Sequence, residues 1–466
     1  MSLRSGDIGG TMATDLFETT GTDQRPGAPP VARVSDSPRA AGSVADQLRE
    51  MFEALFGGTP PVHIDFWDGS SLGSTDGPGQ VIIRSTDALR RLVWSPDELG
   101  VARAFVSGDI DLVGPVAETL RALQDGLPTD ARIAAAALPK VFAGGRTVGA
   151  FGRPLAAPPE EYVPYGIRHS LRRDRSTVSH HYDVGNDFYS LVLGPAMTYS
   201  CARFVRPDMS LEEAQAAKHD LVCRKLGLHE ADSTDGGTPR LLDVGCGWGS
   251  MAMHAAATYG AEVVAVTISD EQAALARQRV ADAGLADLVE IRVQDYREVP
   301  DGPFDAISSI GMAEHVGKRN MVRYFEQLHG LLRPGGRVMN HAIASIGGSK
   351  MSGRHFMHRY VFPDGELLDL GDTVLAMEAA GFEVRDVENL REHYATTLRH
   401  WVANLERRWD EAVGLVGEGR CRVWQLYMSA SVNGFDDAGV QLYQTLGVRN
   451  HPGGRSDMPR TRAGWG

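Results

Sequence analysis

Residues 241 to 249, Leu-Leu-Asp-Val-Gly-Cys-Gly-Trp-Gly, put a carboxylate near the end of an apolar run and three glycines at alternate positions after it. Glycine lets the backbone take positive φ and approach a ligand closely. Asp243, Gly245, Gly247 and Gly249 therefore have the types and spacing of a turn that holds a nucleotide-like molecule at the start of a helix. A dinucleotide fold is the ordinary reading of such a turn, but it asks for G-x-G-x-x-G and an acidic residue about 20 positions on. Here the third glycine comes one residue early. Cys201, Glu314, His341 and Tyr394 also bear chemistry. Singly, each has a dull explanation: a buried small hydrophobe, a solvated turn, a satisfied core histidine, a helix cap. Only their joint placement would make a site.

The elements that must position these residues alternate after Tyr162. A helix is predicted from Ser210, where Glu213 completes a capping box, to about Leu226. Then come a strand at Arg240–Val244, a helix at Ser250–Tyr259, a strand at Glu262–Thr267, a helix at Asp270–Ala283 and strands at Val289–Val293 and Phe304–Ile310. Met321, Tyr324, Phe325, Leu328 and Leu332 recur at helical spacing, and Arg333-Pro-Gly-Gly is expected to stop that helix before a strand at Arg337–Ala344. The order implies an α/β fold with a doubly wound, mostly parallel sheet.

D-x-G-x-G-x-G resembles the first motif of class I (Rossmann-like) methyltransferases, with a seven-stranded sheet, in which Asp243 and the loop backbone hold the methionine end of S-adenosylmethionine. The second strand ends Val266-Thr-Ile-Ser269 without the usual acid, so Thr267 and Gln272 are expected to supply ribose hydrogen bonds. Asp295, followed by Tyr296, stands where it could accept from an adenine amino group.

Five further segments, His180 to Tyr189, Met197 to Phe204, Gly311 to Gly317, Phe356 to Gly365 and His393 to Trp401, are similar to the cyclopropane-fatty-acyl-phospholipid synthase and mycolic acid cyclopropane synthase family. The likeness runs from about Tyr162 to Val448. It implies methyl transfer to an alkene, a carbocation, and a bound bicarbonate ion that removes a proton to close the ring. By matching positions, Cys201, Glu314, His341 and Tyr394 surround that ion, with Glu314 fixing His341 or accepting the bicarbonate proton. Tyr182, Tyr199 and Ser200 become cofactor contacts, with a packed lid as the plainer reading. A carbocation needs a dry site lined by aromatic faces.

The rest of the chain divides into a disordered leader over 1–44, a small α+β domain over 45–125, a linker with room for a helix over 126–160, the catalytic domain over 161–450 and a flexible tail over 451–466. The stretch Leu99–Leu112 is similar to the extra domain of phospholipid-acting members, which favours an unsaturated phospholipid as substrate. A formal charge of -13 argues against nucleic acid as a partner. Four scattered cysteines without C-x-x-C suggest neither zinc nor disulfides. With no apolar run near the roughly 18 to 20 residues of a spanning helix, a cytoplasmic protein peripheral to the inner face of the membrane is expected, its head-group contact assigned to Arg168, Arg172 and Arg173. A homodimer agrees with the resemblance. One rival uses the same attack but, after a hydride shift, leaves a methylene branch for a partner reductase. A second is a lipid-binding protein without catalysis, and a third a small-molecule methyltransferase.

Overall fold

The computed structural model describes residues 42–128, 131–162, 184–229, 237–348 and 354–465. In its first part a small sheet of order β2-β1-β3-β4 forms from β1 (His63–Phe66), β2 (Ser71–Leu72), β3 (Gln80–Ile83) and β4 (Ile110–Val113). Strands β1 and β3 alternate buried and half-buried residues, so one face meets the helix Val44–Phe56 and the other meets water. The segment expected as a linker carries the helix Ala131–Thr147. At Gly144 a side chain would press on Met51 and Leu48, so the absence of one lets this helix lie close against Val44–Phe56.

The large sheet is built from β5 (Arg240–Val244), β6 (Glu262–Thr267), β7 (Val289–Val293), β8 (Phe304–Ile310), β9 (Leu332–Ser345), β11 (Glu383–Asn389) and β12 (Gln441–Val448), in the order β11-β12-β9-β8-β5-β6-β7. A two-residue strand β10 (Leu368–Asp369) adds an eighth member beside β9. Strands β7-β6-β5-β8-β9 run parallel and β12 is antiparallel to both of its neighbours. Apolar clusters cover both faces, one with the helices Leu211–Leu226, Ser250–Tyr259 and Asp270–Asp282, the other with Met321–Leu331 and Leu370–Ala379. Double coverage is why β5 reads as a nearly continuous apolar run. From β5 the chain moves outward to β6 and β7, then crosses back to β8. The reversal opens a crevice at the carboxyl ends of β5 and β8, where doubly wound sheets bind ligands.

Two expectations change. Arg333-Pro-Gly-Gly does not separate helix from strand; it lies within β9. Gly335 N–H donates to the Arg449 carbonyl and Arg449 N–H to the Gly336 carbonyl. A register shift between the Phe304/Leu332 and Ala306/Arg337 pairs absorbs the proline as a bulge. The terminal stretch, expected as a flexible tail, lies on the sheet's helical layer: Trp465 is buried with Met458 beside it, and Arg462 pairs with buried Asp386 at 2.5 Å. Asp386 also holds the buried ammonium of Lys225 at 3.1 Å, which gives the tail a charged anchor.

Two ionic braces join the first part of the chain to the helices over the site. Arg422, on the helix Glu418–Asp436, reaches Asp111 of β4 at 2.5 Å and lies over the Phe105 ring. Glu161, its side chain 1% exposed, accepts from Arg103 at 2.7 and 2.8 Å and also pairs with Arg359 of the helix Phe356–Tyr360. Those guanidiniums hold the Glu161 carboxyl below its ordinary range against the opposing pull of burial. Removing a buried partner leaves two cations uncompensated. Glu161→Ala is expected to lower the free energy of unfolding by about 2–3 kcal/mol in denaturant titration; a change under about 0.5 kcal/mol, the scale of an exposed pair, would contradict this brace.

Candidate functional site

Strand β5 stops at Val244 because the chain must turn, and Gly245, Gly247 and Gly249 take φ of +76°, +54° and +79° to do so. The N–H groups of Gly245 and Cys246 donate to the Val266 carbonyl at 2.9 and 3.0 Å, tying the turn to β6. Gly249 then caps the helix Ser250–Tyr259. A cavity of about 550 Å³ opens above the turn. At Gly247 a side chain would meet no atom of the described residues within 4 Å, and the position borders that open space.

Nine of the expected cofactor residues line the cavity: Tyr199, Ser200, Asp243, Gly245, Gly247, Thr267, Gln272, Asp295 and Tyr296. Gly249 stands behind the wall, facing Ala276 and Ile291. Tyr182 and the Arg168–Arg175 segment lie outside the described residues. Asp243 accepts from the Ser308 hydroxyl at 2.6 Å through Oδ1, while its Oδ2 is buried with no hydrogen-bond partner among the described residues. A lone anionic oxygen beside a glycine turn fits the cationic amino group of S-adenosylmethionine. At the end of β6 the Thr267 hydroxyl donates to Gln272 Oε1 at 2.8 Å, so these two present one joined polar edge. Asp295 is already braced: Arg297 grips its two oxygens at 2.7 and 2.6 Å. An adenine amino group must share that carboxylate with Arg297.

Lys218 was missed. It lines the same cavity, only 1% exposed, and its ammonium donates to the Ser200 hydroxyl at 2.9 Å. The sequence held a signal, since Leu211, Lys218 and Lys225 recur every seven residues on one helix and so share its buried face. Burial pushes Lys218 down to about 7, and burial pushes Asp243 up to about 6 against the opposing pull of Ser308 and Lys218.

None of the four residues expected around the base is on the cavity lining: Glu314 and His341 sit at the end of β9, while Cys201 and Tyr394 are both tied to Leu390. Glu314 sits on the short helix Ala313–Val316; its Oε1 accepts from Ile343 N–H at 2.8 Å, and Glu366 N–H holds its carbonyl at 2.9 Å. Its Oε2 is buried without a partner among the described residues, and burial pushes the carboxyl up to about 7. His341 lies two residues before Ile343, on the same face of β9. Its Nδ1 is 3.3 Å from the amide nitrogen of Gln444, which leaves the ring proton on Nε2. That Nε2 is also buried without a partner among the described residues, and burial holds the ring neutral. Cys201 Sγ is 3.7 Å from the Leu390 carbonyl; Leu390 N–H donates to Leu442, which pairs with Ile343. Burial keeps this cysteine a thiol. Tyr394, one turn beyond Leu390, packs its ring 4.6 Å from Phe435. An N–H donor and a carboxyl that is protonated part of the time near neutrality fit a small oxyanion such as bicarbonate.

An aromatic wall borders the cavity at Tyr199 and Trp248. Tyr199 donates its hydroxyl to Tyr427 at 3.1 Å, and its ring lies 5.4 Å from Trp401, 5.7 Å from Trp424 and 5.7 Å from Tyr189. Tyr189 leans on Trp248 of the glycine turn at 4.7 Å. Phe356 and Tyr360 join the same buried cluster.

The electrostatics set a sign for ligand binding. As pH falls through about 7, Lys218 gains a positive charge; as it falls through about 6, Asp243 loses its negative one. Both changes oppose a cationic sulfonium ligand. Calorimetry is expected to show affinity for S-adenosylmethionine falling by about tenfold or more between pH 7.5 and 5.5, since each pKa unit corresponds to about 1.4 kcal/mol, and Lys218→Met should remove the upper limb. A flat profile would contradict the assignment.

The comparisons with known proteins agree with this geometry. The family described as mycolic acid cyclopropane synthetase matches residues 169–445. A probable fatty acid methyltransferase of Mycobacterium tuberculosis is 40% identical over 428 residues, 89% of this chain and 96% of its own. A tuberculostearic acid methyltransferase of the same organism is 32% identical over 93% of this chain and 100% of its own. A solved mycolic acid cyclopropane synthase complexed with SAH and CTAB superposes with a TM-score of 0.54 at 33% identity, covering 59% of this chain and 97% of that one. The glycine turn, the cavity at the sheet's switch point and these likenesses agree: the chain belongs to the mycolic acid cyclopropane synthetase family, S-adenosylmethionine-dependent methyltransferases that act on lipid acyl chains.

Proposed function

We propose that this enzyme adds a methylene group across the double bond of an unsaturated acyl chain carried on a membrane phospholipid, closing it to a cyclopropane. The observation that carries the reading is the aromatic wall that Tyr199 presents to the cofactor cavity, with Trp401 and Trp424 packed on it, together with the buried atoms Glu314 Oε2 and His341 Nε2, which have no hydrogen-bond partner among the described residues. When bound, S-adenosylmethionine supplies an electrophilic methyl carbon, whose capture by an alkene leaves positive charge on the acyl chain. Ring faces hold that charge without supplying a nucleophile. Their bulk keeps out the water that would quench it. Glu314 and His341 would hold bicarbonate, which would supply a basic oxygen for a proton of the new methyl group. His341 donates its Nε2 proton to that anion, and Glu314, tied to Ile343, holds the neighbouring edge.

A phospholipid rather than a mycolic acid is supported by the first part of the chain, beyond the 59% that the mycolic acid enzyme covers. One observation favours a second reading, in which a hydride shift yields a methylene branch for a reductase partner: a tuberculostearic acid methyltransferase aligns over 93% of this chain and 100% of its own length. A lipid-binding protein without catalysis is disfavoured by the intact set of Asp243, Glu314, His341 and Tyr394. We place the enzyme, as a homodimer, on the inner membrane face.

The test is incubation with labelled S-adenosylmethionine, bicarbonate and mono-unsaturated phospholipid vesicles, followed by fatty-acid analysis. A ring supports the first reading, a branched alkene the second, and no labelled lipid defeats both. Glu314→Gln is expected to cut transfer on the order of a hundredfold while leaving cofactor affinity within about threefold; equal loss of both would remove Glu314 from the base site.

A further inference from the structure

Far from the cavity, the part of the chain that carries β1 to β4 leaves an apolar face in water. Trp94 is 54% exposed, Phe142 48%, and Leu138 and Phe151 45% each. They are neighbours. The Phe142 and Phe151 rings stand 5.9 Å apart, and the Trp94 indole N–H donates to the Gly152 carbonyl at 2.9 Å, which sets the indole beside Phe151. Leu138, Phe142 and Arg146 follow at four-residue spacing along the helix Ala131–Thr147 and therefore share a side. On its opposite side Gly144 is buried against Met51 and Leu48, which seats the helix with the aromatic side outward. Single exposed apolar residues need no explanation; a contiguous set with two phenylalanines and a tryptophan does.

Charge identifies the occupant. The chain's net charge is -13, yet residues 131–159 hold Arg132, Lys140, Arg146 and Arg153 and no acidic residue. Lys140, Arg146 and Arg153 are exposed, and none forms an ion pair among the described residues. Aromatic side chains ringed by cations partition into the head-group layer of an anionic bilayer. We propose that Trp94, Leu138, Phe142 and Phe151, with Arg146 on the same side of the helix and the exposed cations Lys140 and Arg153 close by in the chain, dock on the surface of an anionic phospholipid membrane. The choice of a bilayer over a protein partner rests on the lipid-methylating reading, because that substrate is carried in one.

The test uses the full chain, without methyl donor, and vesicles of saturated phosphatidylglycerol or saturated phosphatidylcholine, on which no methylation occurs. The protein is expected to sediment with the anionic vesicles and not with the zwitterionic ones. Phe142→Ser/Phe151→Ser should weaken that binding by at least about tenfold, and Lys140→Glu/Arg146→Glu/Arg153→Glu on the order of a hundredfold, with melting temperatures near wild type because every altered side chain is exposed. Undiminished binding by both variants would overturn the proposal. So would a wild-type dimer that the serine variant splits into monomers, which would assign the face to a second copy of this chain. Methyl transfer to detergent-dispersed unsaturated phospholipid is measured separately: its absence in every protein strikes at the catalytic reading, while the vesicle result still decides the docking face.

Discussion

Charge kept out of water is the constraint that organises this protein. Asp243, Lys218 and His341 are buried near the carboxyl ends of β5 and β9, Glu314 is half-buried with its Oε2 out of water, and three of the four keep an oxygen or nitrogen with no hydrogen-bond partner among the described residues. A buried polar atom left unpaired costs about 1–3 kcal/mol, more for a charged one. A fold carries such costs where a ligand will supply the missing partners. In the mechanism we propose, the zwitterionic end of S-adenosylmethionine answers Asp243, and a small oxyanion answers His341 and Glu314. The same desolvation that raises the carboxyls and lowers the lysine makes the pocket hostile to water, which is the condition a carbocation requires.

The remainder of the architecture builds the walls of that pocket. The crossing from β7 back to β8 opens the crevice, and the antiparallel β12 carries Gln444, which fixes the His341 ring. The long helices Arg391–Arg407 and Glu418–Asp436 supply Trp401, Trp424 and Tyr427 as one wall. The first part of the chain is bound to these helices through Arg422 and Asp111, and to the Phe356–Tyr360 helix through Glu161. A membrane-facing surface would thus be coupled rigidly to the elements around the acyl site.

Much of this could be read from residue patterns, for reasons visible in particular elements. Ser210 and Glu213 predict a helix start, and both capping bonds form, at 3.1 and 2.8 Å. Strands β5 to β8 fall at the expected residues because apolar runs bounded by glycine have little other use in a doubly wound sheet. Arg333-Pro-Gly-Gly misled, because a bulge paired with Arg449 extends β9 through residues that usually break strands. The terminal stretch misled because its composition hides one tryptophan and one ion pair that fix it. Lys218 escaped because a lysine normally marks a solvated face; only its seven-residue spacing from Leu211 and Lys225 gave it away. The contacts of Asp295 with Arg297 depend on side-chain geometry that no spacing encodes.

The central claim is that an alkene takes up a carbon in a waterless pocket and then surrenders a proton from that same carbon to a held base. Supplying S-adenosylmethionine with a trideuterated methyl group and counting deuterium in the lipid product by mass spectrometry tests this directly. The account predicts two deuterium atoms on the added carbon, for ring and methylene branch alike. Three retained deuterium atoms, on a hydroxylated or heteroatom-methylated product, would contradict it.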